Sequence, residues 1–330
     1  KFEGSGTGDV YSSLAINKPL DDDDVEEEYE SESELLVIVQ QCLDMMALSI
    51  PSKHFASPAL GHVSQCMQAS ESKMRKAGCS VLAAITEGCC DTIKPMLGEI
   101  LPHLLSLAND QDSMVRESVG FTLGQFSEHC RPDILHFNQT ILPTVFNLLS
   151  DPNEKVQVVS CYVLEMFCED LQPETLAPFA EPLITKLLAL LQSGPRSVRE
   201  MALSAIAATA AGTEMGFLPF TEKVCVHLRE LLFLSEPLQF QLRGSALECL
   251  GHVAIAVGAE HFKPYFEMGM ESAMQGIQMN EDFLKEYSYL YFANASKVIT
   301  DGMAPYLDKL VPHLIEVVNQ SEKMTKEEYE

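Results

Sequence analysis

The sequence predicts an all-α protein in which paired helices stack into a right-handed α-solenoid. Three observations predict this fold class. Apolar residues recur at helical spacing from about residue 34 to near the end of the 330-residue chain. No run alternates with the period of two that is typical of a strand. One pattern returns every 41 to 44 residues, which is typical of helical repeat proteins.

One aligned position in the first helix of each of six units defines the repeat. The residues at this position are Arg75, Arg116, Gln157, Arg199, Arg243 and Lys285, spaced by 41, 41, 42, 44 and 42 residues. Seven residues after each comes a large apolar side chain: Leu82, Leu123, Leu164, Ile206, Leu250 and Phe292. Three residues after each, nearly all are small: Gly78, Val119, Ser160, Ala202, Ala246 and Ser288. We expect the large column to fill the core and the small column to let neighbouring helices approach closely.

A second helix with a proline near its start completes each unit. The aligned prolines are Pro95, Pro178, Pro219, Pro264 and Pro305. Proline is tolerated there because a first-turn residue has no intrahelical acceptor to lose. Two helices in a unit of this length are typical of HEAT/armadillo repeats. We predict about seven HEAT repeats, starting near residues 34, 71, 111, 152, 195, 237 and 280.

These repeats divide the chain into one solenoid domain and two flanking segments. We predict a flexible acidic segment over residues 1–33, the solenoid over 34–320, and a charged tail or the start of a further segment over 321–330.

The cationic column has a structural interpretation. Its arginines are Arg75, Arg116, Arg199 and Arg243. Acids lie shortly upstream in several units, at Glu71, Asp112, Glu236 and Asp282. We expect these groups to form a cation–carboxylate ladder that holds stacked repeats in register.

The charge balance restricts the possible partners. The chain has 22 basic and 48 acidic residues, a formal net charge of −26. Such a chain is repelled by phosphates and by anionic membrane surfaces, and it attracts basic proteins. No uninterrupted apolar stretch approaches the ~20 residues that span a bilayer. We therefore expect neither direct nucleic-acid binding nor membrane insertion.

Ten of the acids lie in one run over residues 21–34. They include Asp21, Asp22, Asp23, Asp24, Glu26, Glu27 and Glu28. We expect like-charge repulsion to keep this run extended and mobile. Two interpretations stay open: an acidic loop that contacts a basic partner, or a solubilising linker that shields a basic cargo or competes for the groove.

Motifs for catalysis, metals or cofactors are missing from the sequence. No HExxH or CxxC motif occurs, and the nine histidines are scattered. The ten cysteines lie mostly inside apolar helical patterns, so we expect free, buried thiols. The sequence therefore predicts a protein that is not an enzyme and carries no cofactor.

Acidic residues also share a register on the second helices. Three residues after four of the five aligned prolines lie the acids Glu181, Glu222, Glu267 and Asp308, while Gly98 follows Pro95. Eleven residues after Pro219 and Pro305 lie Glu230 and Glu316. The two offsets fall on roughly the same side of a helix. We interpret these acids as a candidate surface for basic cargo, and a merely solvated helix face is the alternative. Asn138 and Asn147 are candidate exposed amides that could bracket a lysine.

Several stretches resemble the importin-β/karyopherin-β family of nuclear transport receptors. Residues 74–97 followed by 115–134 look like consecutive central repeats of that family. Further similar stretches lie at 198–212, 247–258 and 303–314. The acidic run directly before the first helical pattern also fits, and the resemblance covers roughly residues 34–320.

The resemblance implies a nuclear import receptor. Its members bind basic cargo such as histones H3 and H4 and ribosomal proteins on an acidic concave surface built from the second helices. Ran-GTP releases the cargo, phenylalanine-glycine nucleoporins are further partners, and the receptors shuttle between cytoplasm and nucleus. Ran contacts lie largely in N-terminal repeats of the family, which we expect to lie outside the stretch that shows the resemblance. The alternative is a HEAT-repeat scaffold or adaptor with no transport role.

Overall fold

A computed structural model describes residues 26–168, 171–279 and 281–327, and these are helical apart from short turns. Seven first helices occur in them: α1 (Glu26–Ser49), α3 (Ser72–Ile93), α5 (Ser113–His129), α7 (Glu154–Cys168), α9 (Arg196–Thr213), the first half of α11 (Phe240–Gly276) and α12 (Asp282–Val298). The second helices are α2 (Ser52–Met67), α4 (Leu97–Ser106), α6 (Asn138–Leu148), α8 (Pro173–Ser193), α10 (Thr221–Leu231), the second half of α11 and α13 (Ala304–Glu327). The predicted all-α repeat architecture is confirmed.

The sixth helix pair lies within α11, which Gly258 divides. Gly258 has φ +72° and ψ 174°, a non-helical conformation inside this element. Glycine adopts positive φ without the steric cost of a side chain. The chain therefore changes from the first to the second helix at one residue instead of through a longer turn.

The predicted repeat boundaries are close to the observed ones from the second repeat onward. There the first helices begin one to three residues after the predicted starts. The first repeat differs, because α1 already begins at Glu26. The expectation of an extended run through residue 34 is therefore wrong for residues 26–34, where glutamate, a favourable helix former, is abundant. Asp21–Asp24 lie outside the described residues, and α13 continues through residues 321–327.

The two predicted core columns are buried. Every member of the large column is at most 5% exposed, and the small column is buried as well. Small residues matter where the first helices of neighbouring repeats meet. A side chain at Gly124 would clash with the ring of Tyr162, and one at Gly244 would clash with Tyr287. The repeats therefore stack through close backbone approach on one side and aliphatic packing on the other.

The helices cluster into two compact units. The first holds residues up to Phe167 together with Gly194–Val198, and α3 packs there against α1, α2 and α5. The second holds Cys168–Ser193 and Arg199 onward, and α11 packs there against α10 and α12. One continuous domain over residues 34–320 stays a prediction.

One stretch, Arg196–Leu231, is long and apolar enough by composition to cross a membrane. It consists of α9, a 3-10 segment over Glu214–Phe220 and α10. More than half of its apolar window is buried inside the protein. These apolar residues form the packed core of the fifth helix pair.

In the first unit, the cationic column forms a ladder with two aspartates. Arg75 donates from Nε and Nη2 to the Asp110 carboxylate at 2.6 and 2.9 Å, and Arg116 does the same with Asp151. The backbone carbonyl of Asp110 accepts from Arg116 Nη1 at 2.8 Å, and that of Asp151 accepts from Gln157 Nε2 at 2.8 Å. Each aspartate thus joins the column residues of two successive repeats. The hydrogen bond from Arg75 lowers the pKa of Asp110.

The predicted acidic partners are therefore wrong in this unit. The carboxylates that bind Arg75 and Arg116 lie 35 residues downstream, whereas Glu71 and Asp112 lie just upstream. Asp112 accepts from the Met114 backbone N–H at 2.9 Å and caps the start of α5.

In the second unit, the column arginines donate to carbonyl and amide oxygens and, from Arg243, to the Met279 thioether. Arg199 donates to the Leu191 carbonyl at 3.0 Å. Arg243, only 3% exposed, donates to the carbonyls of Leu234 and Ser272 at 3.2 and 3.1 Å and to Gln275 Oε1 at 3.3 Å. The pairing expected with Glu236 is not among them, and burial lowers the pKa of Arg243. Asp282 does bind Lys285, at 2.9 Å, but within one exposed helix turn.

A double-mutant cycle tests the ladder. We expect Arg116→Ala or Asp151→Ala alone to reduce the free energy of unfolding by about 3 kcal/mol, because each leaves a nearly buried charge unpaired. The double variant should lose less than the sum, with a coupling of about 2 kcal/mol. Lys285→Ala with Asp282→Ala is the exposed control and should couple by less than ~1 kcal/mol. Urea unfolding measures the free energies for both cycles. A coupling energy between Arg116 and Asp151 as small as that of the control pair would contradict a stabilising role of the ladder.

Candidate functional site

The acids predicted on the second helices of the second unit are all exposed. We call this set the second-helix row: Glu181, Glu222, Glu230, Glu267, Asp308 and Glu316. The residues seven positions after the aligned prolines of this unit are exposed too, namely Thr185, Val226, Glu271 and Pro312. Each second helix therefore presents one side to solvent over about two turns.

The opposite side of these helices is largely buried, as predicted. Leu228, Leu231 and Leu310 are at most 5% exposed. Leu314 is an exception, because it is 38% exposed, and the prediction that it faces the core is wrong. It lies on α13, the last helix of the described chain, and no later described helix packs over that side.

Contacts show that successive second helices of this unit are neighbours. Gln192 on α8 and His227 on α10 approach to 2.6 Å between their Nε2 atoms. His227 Nδ1 lies 2.7 Å from the Lys223 carbonyl; with Nδ1 donating there, Nε2 accepts from the Gln192 amide. Burial raises the pKa of Tyr265 on α11, and the Glu222 carboxylate on α10 adds to this shift.

An open cleft of about 1010 Å³ lies between the second half of α11 and the start of α13. Glu267 lines it together with Glu260, Asp301 and Lys263. Tyr306 also lines it, and its ring packs edge-on against Phe266 with centroids 6.0 Å apart. The cleft thus combines three carboxylates and one lysine with an aromatic ring, a chemistry that suits a cationic side chain.

Glu260, Asp301 and Tyr306 were not predicted as site residues. A signal for the two acids was available, because both lie four residues before an aligned proline. The same position holds Asp91 and Glu174 in two other repeats and Met215 in a third. Four of these five positions are acidic and exposed, so the register before the proline carries as clear a pattern as the one after it.

Basic residues are interleaved with the row. They are Lys186, Lys223, Arg229, Lys263 and Lys309. The surface is therefore patterned rather than uniformly negative, and it favours partners whose cations match the positions of the acids.

Among the described residues, no group of histidine, cysteine and carboxylate side chains could hold a metal ion. The cysteines are free, and burial raises the pKa of the Cys79 and Cys225 thiols to about 12.

The other predicted positions lie in the first unit or outside the described residues. Asn138 is half-buried, and its Nδ2 donates to the Leu135 carbonyl at 2.8 Å, so its prediction as an exposed amide is wrong. This bond ties it to the turn before α6. Asn147 is exposed, as predicted. Glu26–Glu28 lie at the start of α1, and Asp21–Asp24 are not described.

Two repeat models match the chain. A HEAT-like repeat matches residues 72–126, and a HEAT repeat matches residues 141–171.

Importins are among the proteins that this chain resembles in sequence. Importin subunit beta-3 of Saccharomyces cerevisiae is 28% identical over 307 residues, which cover 90% of this chain and 28% of that protein. Probable importin subunit beta-4 of Schizosaccharomyces pombe is 30% identical over 142 residues, 42% of this chain and 13% of that protein. Human importin-4 is 33% identical over 126 residues, 36% of this chain and 11% of that protein.

Solved structures agree with these relatives. Kap121p bound to Pho4p has a TM-score of 0.79 and 26% identity, with 92% of this chain and 29% of that chain covered. Kap121p bound to Nup53p gives the same TM-score, identity and coverage. The chain thus spans less than a third of the relatives that it matches. The chain's sequence relatives, its HEAT repeats and its helix-pair stack are all similar to those of the importin-β (karyopherin-β) family.

Proposed function

We propose that this chain is the cargo-binding part of a nuclear import receptor. The second-helix row and the adjoining cleft hold lysine- and arginine-rich segments of cargo, of the kind found in histones H3 and H4 and in ribosomal proteins. The observation that carries the proposal is the common register: all six predicted acids of the row are exposed on neighbouring second helices of one unit.

The binding relies on many weak contacts. One exposed ion pair contributes only ~0–1 kcal/mol. Successive second helices repeat such a contact along an extended cargo segment, so affinity accumulates while each contact stays reversible. The excess of acids also speeds the encounter with a basic partner. Solved structures of similar fold support a protein-binding role, since Kap121p has been solved bound to Pho4p and to the SUMO protease Ulp1p.

Charge reversal on the row tests cargo binding. Glu222→Lys combined with Glu267→Lys should weaken binding of a labelled histone H3 tail about tenfold or more, which corresponds to ~1.4 kcal/mol. Fluorescence anisotropy measures the affinity, and binding by the unchanged chain should weaken as salt rises. Glu236→Lys with Glu286→Lys is the matched control: both acids are exposed, lie off the second helices and change the net charge equally.

Two results would count against the proposed surface. Unchanged affinity in the row variant would leave only a solvated helix face. Equal weakening by the row and control variants would show a general effect of net charge instead of a site.

We further propose that Ran-GTP ends cargo binding and that the receptor shuttles between cytoplasm and nucleus. The support is the similarity of the chain to importins. Adding GTP-loaded Ran to the full-length receptor with a bound H3 tail should release the tail, and GDP-loaded Ran should not. A receptor that binds no basic tail and shows no response to Ran would fit the HEAT-scaffold alternative.

Nucleoporins with phenylalanine-glycine repeats are the second proposed class of partner. The specific support is that Kap121p has been solved in complex with Nup53p.

A further inference from the structure

Arg243 differs from the arginines that form the ladder in the first unit. Arg75 and Arg116 each hold an aspartate through two N–H groups. Arg243 is only 3% exposed, and among the described residues no carboxylate pairs with it. Its buried Nε–H also has no hydrogen-bond acceptor in that part of the chain. A buried cation with an unused donor therefore lies inside the sixth repeat.

A methionine takes the place of the ladder aspartate here. Asp110 and Asp151 lie six residues before the next column residue, and Met279 lies six residues before Lys285. Arg243 Nη1 lies 3.8 Å from the Met279 Sδ atom, so this position still meets the arginine of the preceding repeat. A thioether sulfur is only a weak acceptor. The contact between the sixth and seventh repeats is therefore kept but weakened.

The Met279 side chain is accessible to small reagents. It lies in the turn between α11 and α12, where its backbone N–H donates to the Gly276 carbonyl at 3.1 Å, and it is half-buried. Met270 and Met303 in the same unit are at most 5% exposed. A peroxide can therefore reach the Met279 sulfur, which lies against Arg243.

We propose that Met279 is a site of reversible sulfoxidation and that its sulfoxide oxygen completes the ladder by accepting from Arg243. Hydrogen peroxide transfers one oxygen to Sδ: the S–O bond forms, the O–O bond breaks, and the rest of the peroxide leaves as water. The sulfur is oxidised by two electrons and the peroxide is reduced. A methionine sulfoxide reductase reverses the step, because its thiols take the oxygen away as water and are oxidised to a disulfide.

The direction of the effect distinguishes this site from oxidative damage. A sulfoxide is polar, so it disrupts packing at most core positions. At Met279 it meets a buried cation that has an unused N–H, so it gains a hydrogen bond from a charged donor. Oxidation therefore strengthens the contact between the sixth and seventh repeats. This inference is independent of the proposed cargo surface.

Glutamine and leucine at position 279 test the proposal without an oxidant. Met279→Gln supplies a carbonyl oxygen on a side chain of similar length, and Met279→Leu keeps an apolar side chain without an acceptor. The glutamine variant should have a urea midpoint about 0.5 M above that of the leucine variant, the shift expected for a hydrogen bond from a charged donor. Met268, half-buried on α11, is the control. Met268→Gln should have a midpoint no higher than that of Met268→Leu.

Direct oxidation tests the modification itself. The unchanged chain and Met279→Leu are both treated with hydrogen peroxide, so the difference between their shifts in urea midpoint isolates Met279 from the other methionines. The midpoint of the unchanged chain should rise relative to that of the leucine variant, and a methionine sulfoxide reductase should reverse the rise. Peptide mass spectrometry should show one added oxygen at Met279. Arg243→Leu in both chains should abolish the difference.

Three results would overturn the proposal. A glutamine variant no more stable than the leucine variant would show that an acceptor at position 279 does not bind Arg243. Met279 that stays unmodified after the exposed Met215 is fully oxidised would show that peroxide does not reach it. A relative rise that is missing, or that persists in the Arg243→Leu chains, would place the effect of oxidation elsewhere. If the Arg243→Leu chains do not fold, the glutamine and leucine variants decide alone.

Discussion

A pair of helices of this length cannot bury its apolar side alone, and the rest of the structure follows from that constraint. Each repeat must cover its neighbour, so the first helices meet through one large and one small column, all buried. Close approach at Gly124 and Gly244 leaves room for a tyrosine from the next repeat. The stacking buries these sides of the helices and leaves one side of each second helix exposed to solvent.

Charged residues serve two different purposes in this arrangement. Where they are nearly buried, as in Arg75–Asp110 and Arg116–Asp151, they join consecutive repeats through paired hydrogen bonds. Where they are exposed, as in Glu222 and Glu267, they add little to stability and are available for a partner. The net charge of −26 thus includes structural carboxylates that no cargo can use.

Positions that recur in many repeats could be predicted from the sequence. The register, the core columns and the exposure of the six row acids could be predicted because aligned positions share one environment. The ladder partners could not, because the carboxylates lie 35 residues downstream in the turn before the next repeat, whereas Glu71 and Asp112 lie much closer to the arginines in sequence. The prediction that Leu314 is buried was wrong because its burial depends on a neighbouring helix. Periodicity within one helix does not show whether such a neighbour is there. Glu260 and Asp301 could have been found in the register before the prolines.

A charge-swap experiment tests the central claim, that the second-helix row recognises cations by position. The row variant carries Glu181→Lys, Glu222→Lys, Glu267→Lys and Asp308→Lys together. Two peptides of equal length are compared, one rich in lysine and one with every lysine replaced by glutamate. The unchanged chain should prefer the lysine peptide, and the row variant should prefer the glutamate peptide. An undiminished preference of the variant for the lysine peptide would contradict the account.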